Sequence, residues 1–228
     1  MSNLNRSEEI IHLINTKGSI SIQELAKATY ASPSTIRRDV EKLEQKGLLR
    51  RHHGGVKSVL SFHPPQIIRK QRNQTEKNSV ARKAATLIEP NSTIFMDAST
   101  TVQYMIPYLI GIEGLTVYTN GADTAISLSK IKIRTICVGG ELSAESMAYV
   151  GQVAINSVRN VFFDAMFFSS AGFNDRVVSD WSEEETAVRR AVMEQSTRKY
   201  FLSDHTKRGK CYTNIVCRLI ELDEIICD

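Results

Sequence analysis

The chain has little that would tie it to a membrane or to an oxidising compartment. No apolar run approaches the ~20 residues a membrane-spanning helix needs, and the opening stretch MSNLNRS is polar, unlike a secretory signal. A cytoplasmic protein with no membrane partner is expected. The four cysteines, Cys137, Cys211, Cys217 and Cys227, fall in no C-x-x-C or Cys/His spacing. That excludes a recognisable disulfide framework or zinc motif and suggests isolated buried thiols, with no metal and no cofactor. Only five prolines and one tryptophan occur in 228 residues, and 42% hydrophobic with 24% charged content is ordinary for a globular chain. The length allows one large domain or two small ones. The charge excess is also small, 29 basic against 25 acidic residues.

That excess is unevenly placed. Residues 1–60 hold 10 basic and 6 acidic side chains while the remainder holds 19 of each, so all of it lies on the N-terminal segment. Attraction to phosphate calls for such placement, although a solvated helix face can carry as much charge with no partner. The stretch SPSTIRRDVEKLEQKG, residues 32–47, separates the two readings. Ser32 is a natural N-cap, Pro33 fits the first helical position, and Gly47 suits a left-handed helix end. Ile36, Val40, Leu43 and Leu48 recur at helical spacing as the buried stripe. Ser34, Thr35, Arg37, Arg38 and Lys42 fall mostly outside it, gathered toward the half that a recognition helix presents to base edges.

The neighbours of this helix fit. SIQE at 21–24 reads as a capping box opening a second helix, and Leu4, Ile10, Ile11, Leu13 and Ile14 mark a first helix closed by Gly18. LLRRHHGGVK reads as two extended runs about Gly54-Gly55, a hairpin studded with Arg50, Arg51, His52 and His53. Residues 1–58 are therefore expected to form a winged helix-turn-helix whose partner is double-stranded DNA. Arg37 or Arg38 would read bases, with Ser34, Thr35, Arg50 and Arg51 on phosphates and Ser32, Lys42, His52 and His53 beside them. Asp39 or Glu41 could instead claim one arginine within the helix. One reader of this size contacts little DNA, so a homo-oligomer, dimer or tetramer, on repeated half-sites is expected.

Residues 59–76 change texture and read as a connector, extended at Pro64-Pro65. From Lys77 onward, apolar strands such as STIFMDA, LTVYTN, IRTICVGG and KYFLSD alternate with helical segments. Residues 77–228 are thus expected to form an α/β domain with a mostly parallel, helix-covered sheet. Ligands of such sheets sit beyond the carboxyl ends of the strands. Those ends read Asp97-Ala98-Ser99-Thr100-Thr101, Thr119-Asn120-Gly121, Gly139-Gly140-Glu141 and Asp204-His205-Thr206-Lys207. Hydroxyls opening a helix offer an anion site, adjacent glycines permit close approach, and Lys207 with carboxylates and Asn120 suits a phosphorylated polyol. Each loop alone is ordinary turn chemistry. Four compatible strand ends together point to a small-molecule site.

STIRRDVEKLEQKGLLRRHHGGV resembles the N-terminal signature of the DeoR family of bacterial transcriptional regulators. The likeness continues through Arg69, Asn73 and Glu76-Lys77, then MDASTT, YTNGADTAI, VGGEL, VGQVA, FDAMFFSSAGF, SDHTKRGK and IICD, covering essentially the whole chain. The resemblance implies a winged helix-turn-helix joined to a sensor domain similar to sugar-phosphate isomerases. It further implies a repressor of a sugar catabolic operon, relieved by a phosphorylated sugar. Ligand positions would fall on Asp97, Thr100, Thr101, Asn120, Gly139, Gly140, Glu185, Asp204 and Lys207. Ser99 stands where members usually carry glycine, and its side chain either adds a hydroxyl donor or crowds the phosphate.

The runner-up class is an isomerase-like enzyme in the C-terminal domain, which needs a positioned acid and base. Beyond residue 63 the chain has one histidine, His205, and no Asp-x-His-x-x-x-x-Glu cluster, so turnover is not expected.

Overall fold

The computed structural model describes residues 3–17, 19–45, 48–52, 55–58, 64 and 66–228. The roles expected of Gly18, Gly47, His53, Gly54 and Pro65, and of the Leu4 side chain, lie outside the described residues. Two compact units make up the chain, Met1–Pro65 and Gln66–Asp228.

In the first unit, α1 (Asn3–Lys17), α2 (Ile22–Ala28) and α3 (Pro33–Gln45) pack through their apolar stripes. Ile10, Ile14, Leu25, Ile36, Val40 and Leu43 are buried there with Leu49 and Val56. The capping box forms as its residues dictate: Glu24 N–H donates to Ser21 Oγ at 3.1 Å and Ser21 N–H to Glu24 Oε2 at 2.9 Å. Ser32 Oγ accepts from Thr35 N–H at 3.2 Å and so caps α3. Between the two helices Tyr30 takes φ 51°, the left-handed conformation that lets the turn be tight. The wing is β2 (Leu49–His52) paired antiparallel with β3 (Gly55–Ser58), and β1 (Ser19–Ile20) adds a third strand in the order β1-β3-β2.

The second unit begins with α4 (Gln66–Gln71) and α5 (Gln74–Ala85), so the connector expected over 59–76 is corrected from Gln66 on: it is helical and belongs to this unit. Gln66 and Lys77 are buried, which an extended polar linker would not achieve. Then follow β4 (Thr93–Met96), α6 (Thr100–Gln103), β5 (Thr116–Thr119), α7 (Ala122–Lys130) and β6 (Arg134–Cys137). A hairpin of β7 (Glu141–Ser143) and β8 (Ala148–Val150) leads to α8 (Gly151–Val158) and β9 (Phe163–Phe168). The chain continues as β10 (Gly172–Phe173), β11 (Val177–Asp180), α9 (Glu183–Glu194), β12 (Ser196–Ser203), β13 (Asn214–Arg218) and β14 (Glu224–Cys227).

Six of these strands form a parallel sheet in the order β14-β12-β9-β4-β5-β6. Side chains alternate across it. Ile94, Met96, Val117, Phe167 and Leu202 face α5 and α6 on one side; Phe95, Met166, Phe168 and Phe201 face α8 and α9 on the other. Strands covered on both faces carry near-continuous apolar runs, which is why FDAMFF and TIFM read as they do. Each buried phenylalanine contributes about 1.5–3 kcal/mol. A smaller antiparallel sheet, β10-β11-β13, packs beside α9 and was not anticipated from the sequence. The cysteine expectation is corrected as well: Cys217 is buried and burial lifts its thiol to about 12, but Cys137 and Cys211 are exposed.

Candidate functional site

On the first unit, Ser32, Ser34, Arg37, Arg38 and Lys42 are exposed along α3, with Thr35 half-buried. Ser32 Oγ bonds both Ser34 Oγ at 2.9 Å and Thr35 Oγ1 at 2.8 Å, a hydroxyl cluster beside the arginines. Asp39 does not claim either neighbour, because Arg6 of α1 donates to it at 2.7 Å. Arg37 and Arg38 have no ion-pair partner among the described residues. Period-two alternation splits the wing. Arg51 bonds Glu44 of α3, Nε to Oε2 at 2.5 Å and backbone N–H to Oε1 at 2.8 Å, so it ties the wing to the helix. His52 Nε2 lies 3.0 Å from Ser19 Oγ. Arg50 sits directly across from Lys57 on β3, both exposed. Like charges opposite one another oppose sheet formation, so this pair does not stabilise the wing. Lys57 escaped the sequence reading because only the register places it.

On the second unit the strand ends converge. Arg189 of α9, 3% exposed, lies between three carboxylates: Nε to Asp97 at 3.0 Å, one terminal nitrogen to Asp180 at 2.9 Å, the other to Glu185 at 3.0 Å. Burial alone would lower the pKa of Arg189, but Asp180, Asp97 and Glu185 hold it above the ordinary arginine value. Burial raises that of Glu185, opposed by Arg189. Three acids against one guanidinium would leave a buried excess of negative charge, which is costly. Arg69 of α4 and Lys207 beyond β12 both feel Asp180 and Asp97 and offset it.

Beside this hub lies a cationic side. Lys207 Nζ donates to Ser169 Oγ at 2.8 Å, and burial lowers its pKa. Lys77 Nζ donates to the Arg69 carbonyl. Its pKa falls to about 8, through desolvation first and then repulsion from Lys207, with Arg69 and Arg72 adding to it. Arg69 and Arg72 are likewise lowered by desolvation. Lys207, Arg69 and Arg72 thus lie close enough to repel Lys77, while Asp204 acts on Lys77 and Lys207 in the opposite sense.

The expected effector residues divide. Asp97, Glu185 and Asp204 reach the same edge, but as scaffolding: the first two hold Arg189, and Asp204 accepts from Asn73 Nδ2 at 3.0 Å and Thr206 N–H at 3.2 Å. Asn120 is a clamp, with Oδ1 accepting from Ala98 N–H at 3.1 Å and Nδ2 donating to the Tyr149 carbonyl at 3.2 Å. Gly140 has φ 113°, and a Cβ there would lie 2.6 Å from the Val150 carbonyl oxygen, so it serves backbone packing. Gly139, φ 68°, turns the chain into β7. Ser99 needs no glycine conformation: φ is −67°, and its hydroxyl caps α6 by accepting from Val102 N–H at 3.4 Å. That helix has four residues, too short to focus a dipole as the sequence suggested. Thr100 and Thr101 are buried beside it, and Thr101 Oγ1 has no partner among the described residues. His205 is exposed and bonds Asp228, Nδ1 to Oδ2 at 2.7 Å. Arg69, Arg72, Lys77, Ser169, Asp180 and Arg189 were not singled out as site residues, since no local spacing joins them.

Among the described residues no helix is long and apolar enough to cross a membrane, and no cluster suits a metal ion. Residues 6–62 match the family model of the DeoR-like helix-turn-helix domain, and residues 72–228 that of the DeoR C terminal sensor domain. The lactose phosphotransferase system repressor of Staphylococcus aureus strain N315 is 35% identical over 234 residues, spanning 100% of this chain and 93% of that protein. Among solved structures, translation initiation factor eIF-2B of Pyrococcus horikoshii OT3 is similar at TM-score 0.52 and 12% identity, over 98% of this chain and 84% of that one. That shows a shared fold only. Ribose 5-phosphate isomerase A of Methanocaldococcus jannaschii reaches TM-score 0.45 at 13% identity over 60% of this chain and 56% of that one, too slight to argue from.

Proposed function

The chain belongs to the DeoR family of transcriptional regulators, and from that premise we propose a repressor of a sugar-catabolic operon that a phosphorylated sugar releases from its operator. The observation that carries the effector class is the convergence of Arg69, Arg72, Lys77 and Lys207 beside the Arg189 hub. A dianion relieves the repulsion that Lys207, Arg69 and Arg72 exert on Lys77, while Thr101 Oγ1 offers an unused hydroxyl. Arg37 or Arg38 reads bases, and Ser34, Thr35, Arg50 and Lys57 hold phosphates. Arg51 supports the wing through Glu44 rather than reaching out. The regulator acts as at least a dimer on paired half-sites; sedimentation as a monomer both free and on operator would sink that part.

The second unit works as a receptor and not as an isomerase. Asp97, Asp180 and Glu185 are engaged by Arg189, Asp204 accepts from Asn73 and Thr206, and His205 is turned to Asp228 at the surface, so each of these acids and this histidine is already held by a partner. Thermal-shift titration with ribose 5-phosphate, fructose 6-phosphate and the unphosphorylated sugars tests the reading, on wild type and Lys207→Ala. A phosphosugar should raise the melting temperature of the wild type, fail on Lys207→Ala, and release operator. Stabilisation by the unphosphorylated sugars alone would overturn the effector class.

A further inference from the structure

We infer that Arg69 is a direct ligand of the effector's anionic group and that, through it, occupancy is passed to α4, the helix by which the chain from the DNA-binding unit enters the sensor. The inference rests on the phosphosugar reading above. Its first support is an unmet need. Nε and one terminal nitrogen of Arg69 are buried with no hydrogen-bond acceptor among the described residues. Buried donors are almost always paired, and a charged one left without an acceptor is a costly omission. The carboxylates that attract Arg69, namely Glu185, Asp180 and Asp97, are bonded to Arg189 instead. Arg69 thus feels their charge without bonding them. A planar guanidinium fork fits two oxygens of one phosphate.

The second support is how α4 is held. It has six residues, too few to persist as a helix unaided. Its first residue, Gln66, donates its backbone N–H to Glu145 at 2.8 Å and its side-chain Nε2 to the Ala98 carbonyl at 3.1 Å. Ala98 is the residue whose amide Asn120 clamps, in the loop between Asp97 and Ser99. Near the other end, Tyr104 Oη donates to the Lys70 carbonyl at 3.0 Å. In between, Arg69 gives its carbonyl to Lys77 and its guanidinium to the cluster. The side-chain tether of Gln66 ends on the loop after β4, and the carbonyl of Arg69 is held by Lys77 of α5, so an anion that engages Arg69 and Lys77 acts on both ends of one residue of that helix. A ligand can shift the α4 conformations only by its differential affinity for them, and Arg69 supplies the contact in which that difference resides.

Full-length protein tests this with three probes: ribose 5-phosphate, fructose 6-phosphate and inorganic phosphate. Calorimetry measures probe affinity, and fluorescence anisotropy measures operator affinity with and without probe. Arg69→Met should weaken the phosphorylated probes by about tenfold or more, the loss of a charge-assisted bond. Arg69→Lys, which keeps charge but loses the fork, should fall between, and it carries the test if Arg69→Met does not fold. Gln66→Leu, which cuts the tether to Ala98, should leave probe affinity within about threefold while reducing the probe-induced change in operator affinity by more than half. Arg69 variants that bind and respond like wild type overturn the ligand role; a fully responsive Gln66→Leu overturns the transmission. Wild type that binds none of the probes sinks the phosphosugar reading and this inference together. Wild-type binding that Lys207→Ala abolishes and Arg69 variants leave intact sinks the inference alone.

Discussion

Arg37 and Arg38 stand exposed on α3 with no ion-pair partner among the described residues, whereas Arg189 is buried between Asp97, Asp180 and Glu185. The same residue type therefore does opposite work in the two units. In the first, two acids of α3 are drawn to other cations, Asp39 to Arg6 and Glu44 to Arg51, while Glu41 stays exposed on the helix. In the second, three acids are bonded to one guanidinium, and the neighbouring lysines and arginines feel acids that they do not all bond. A surface that meets a polyanion needs cations held in water and ready. A pocket that selects a small anion needs cations desolvated, because shelter is what makes each pairing strong.

The comparison breaks most visibly at Arg189. Arg189→Met leaves three buried carboxylates without their partner, so the second unit should lose about 3–5 kcal/mol. Urea unfolding followed by Trp181 fluorescence reads it, and a loss under 1 kcal/mol would refute the hub. The counterpart at the surface behaves differently. Arg37→Ala or Arg38→Ala should leave stability within about 0.5 kcal/mol. At least one of them should cost about 1–3 kcal/mol on the cognate operator and little on random DNA. Competition binding gives both affinities, and an unchanged ratio for both variants removes the recognition assignment.

These contrasts also explain what was legible. The reader unit was plain in the sequence because its logic is local: Ser21 and Glu24, Ser32 and Thr35, and the Ile36-Val40-Leu43 stripe all act within a turn or two. The alternation of strands and helices was equally clear, and the parallel sheet brings the ends of β4, β5 and β12, where the effector site is proposed, to one edge. The chemistry there was only half visible. Hydroxyl and acidic residues after strands look like ligands, yet Asp97 meets Arg189 92 residues away and Asp204 meets Asn73 across 131. Pairings at that separation leave no periodic trace. Arg69 and Lys77 stand in a stretch whose polar composition masked two helices that belong to the second unit.

A titration sharpens the contrast further. Lys77 has its pKa lowered to about 8 by burial and by Lys207. The folded state therefore binds fewer protons than the unfolded chain between about pH 8 and 10.5, and the Lys77 contribution to stability rises with pH across that window. Effector binding runs the other way, since a dianion prefers the ammonium form. Affinity for a phosphosugar should fall about tenfold from pH 7 to pH 9, with the slope lost in Lys77→Met. Calorimetry at three pH values checks this. Effector-free operator binding should show no comparable step over the same range, and a step of equal size there would mean the two units do not differ as described.

The smallest effect lies in the wing, where function and fold pull apart. Arg50 and Lys57 face each other across β2 and β3, an arrangement that opposes the strand pairing. Replacing either by threonine should stabilise the first unit by roughly 0.2–1 kcal/mol, because like charges directly opposite are removed and a good strand residue is gained. The same change should weaken cognate and random DNA alike and lower the salt slope of binding by about one counterion per cation. Arg51→Thr should do the reverse, loosening the wing from α3 through loss of Glu44 while leaving the salt slope nearly unchanged. Salt titrations of the three variants, read beside their melting curves, separate a cation kept for DNA from one kept for the fold. If Arg51→Thr lowers the slope as much as Arg50→Thr does, the division of labour along β2 is wrong.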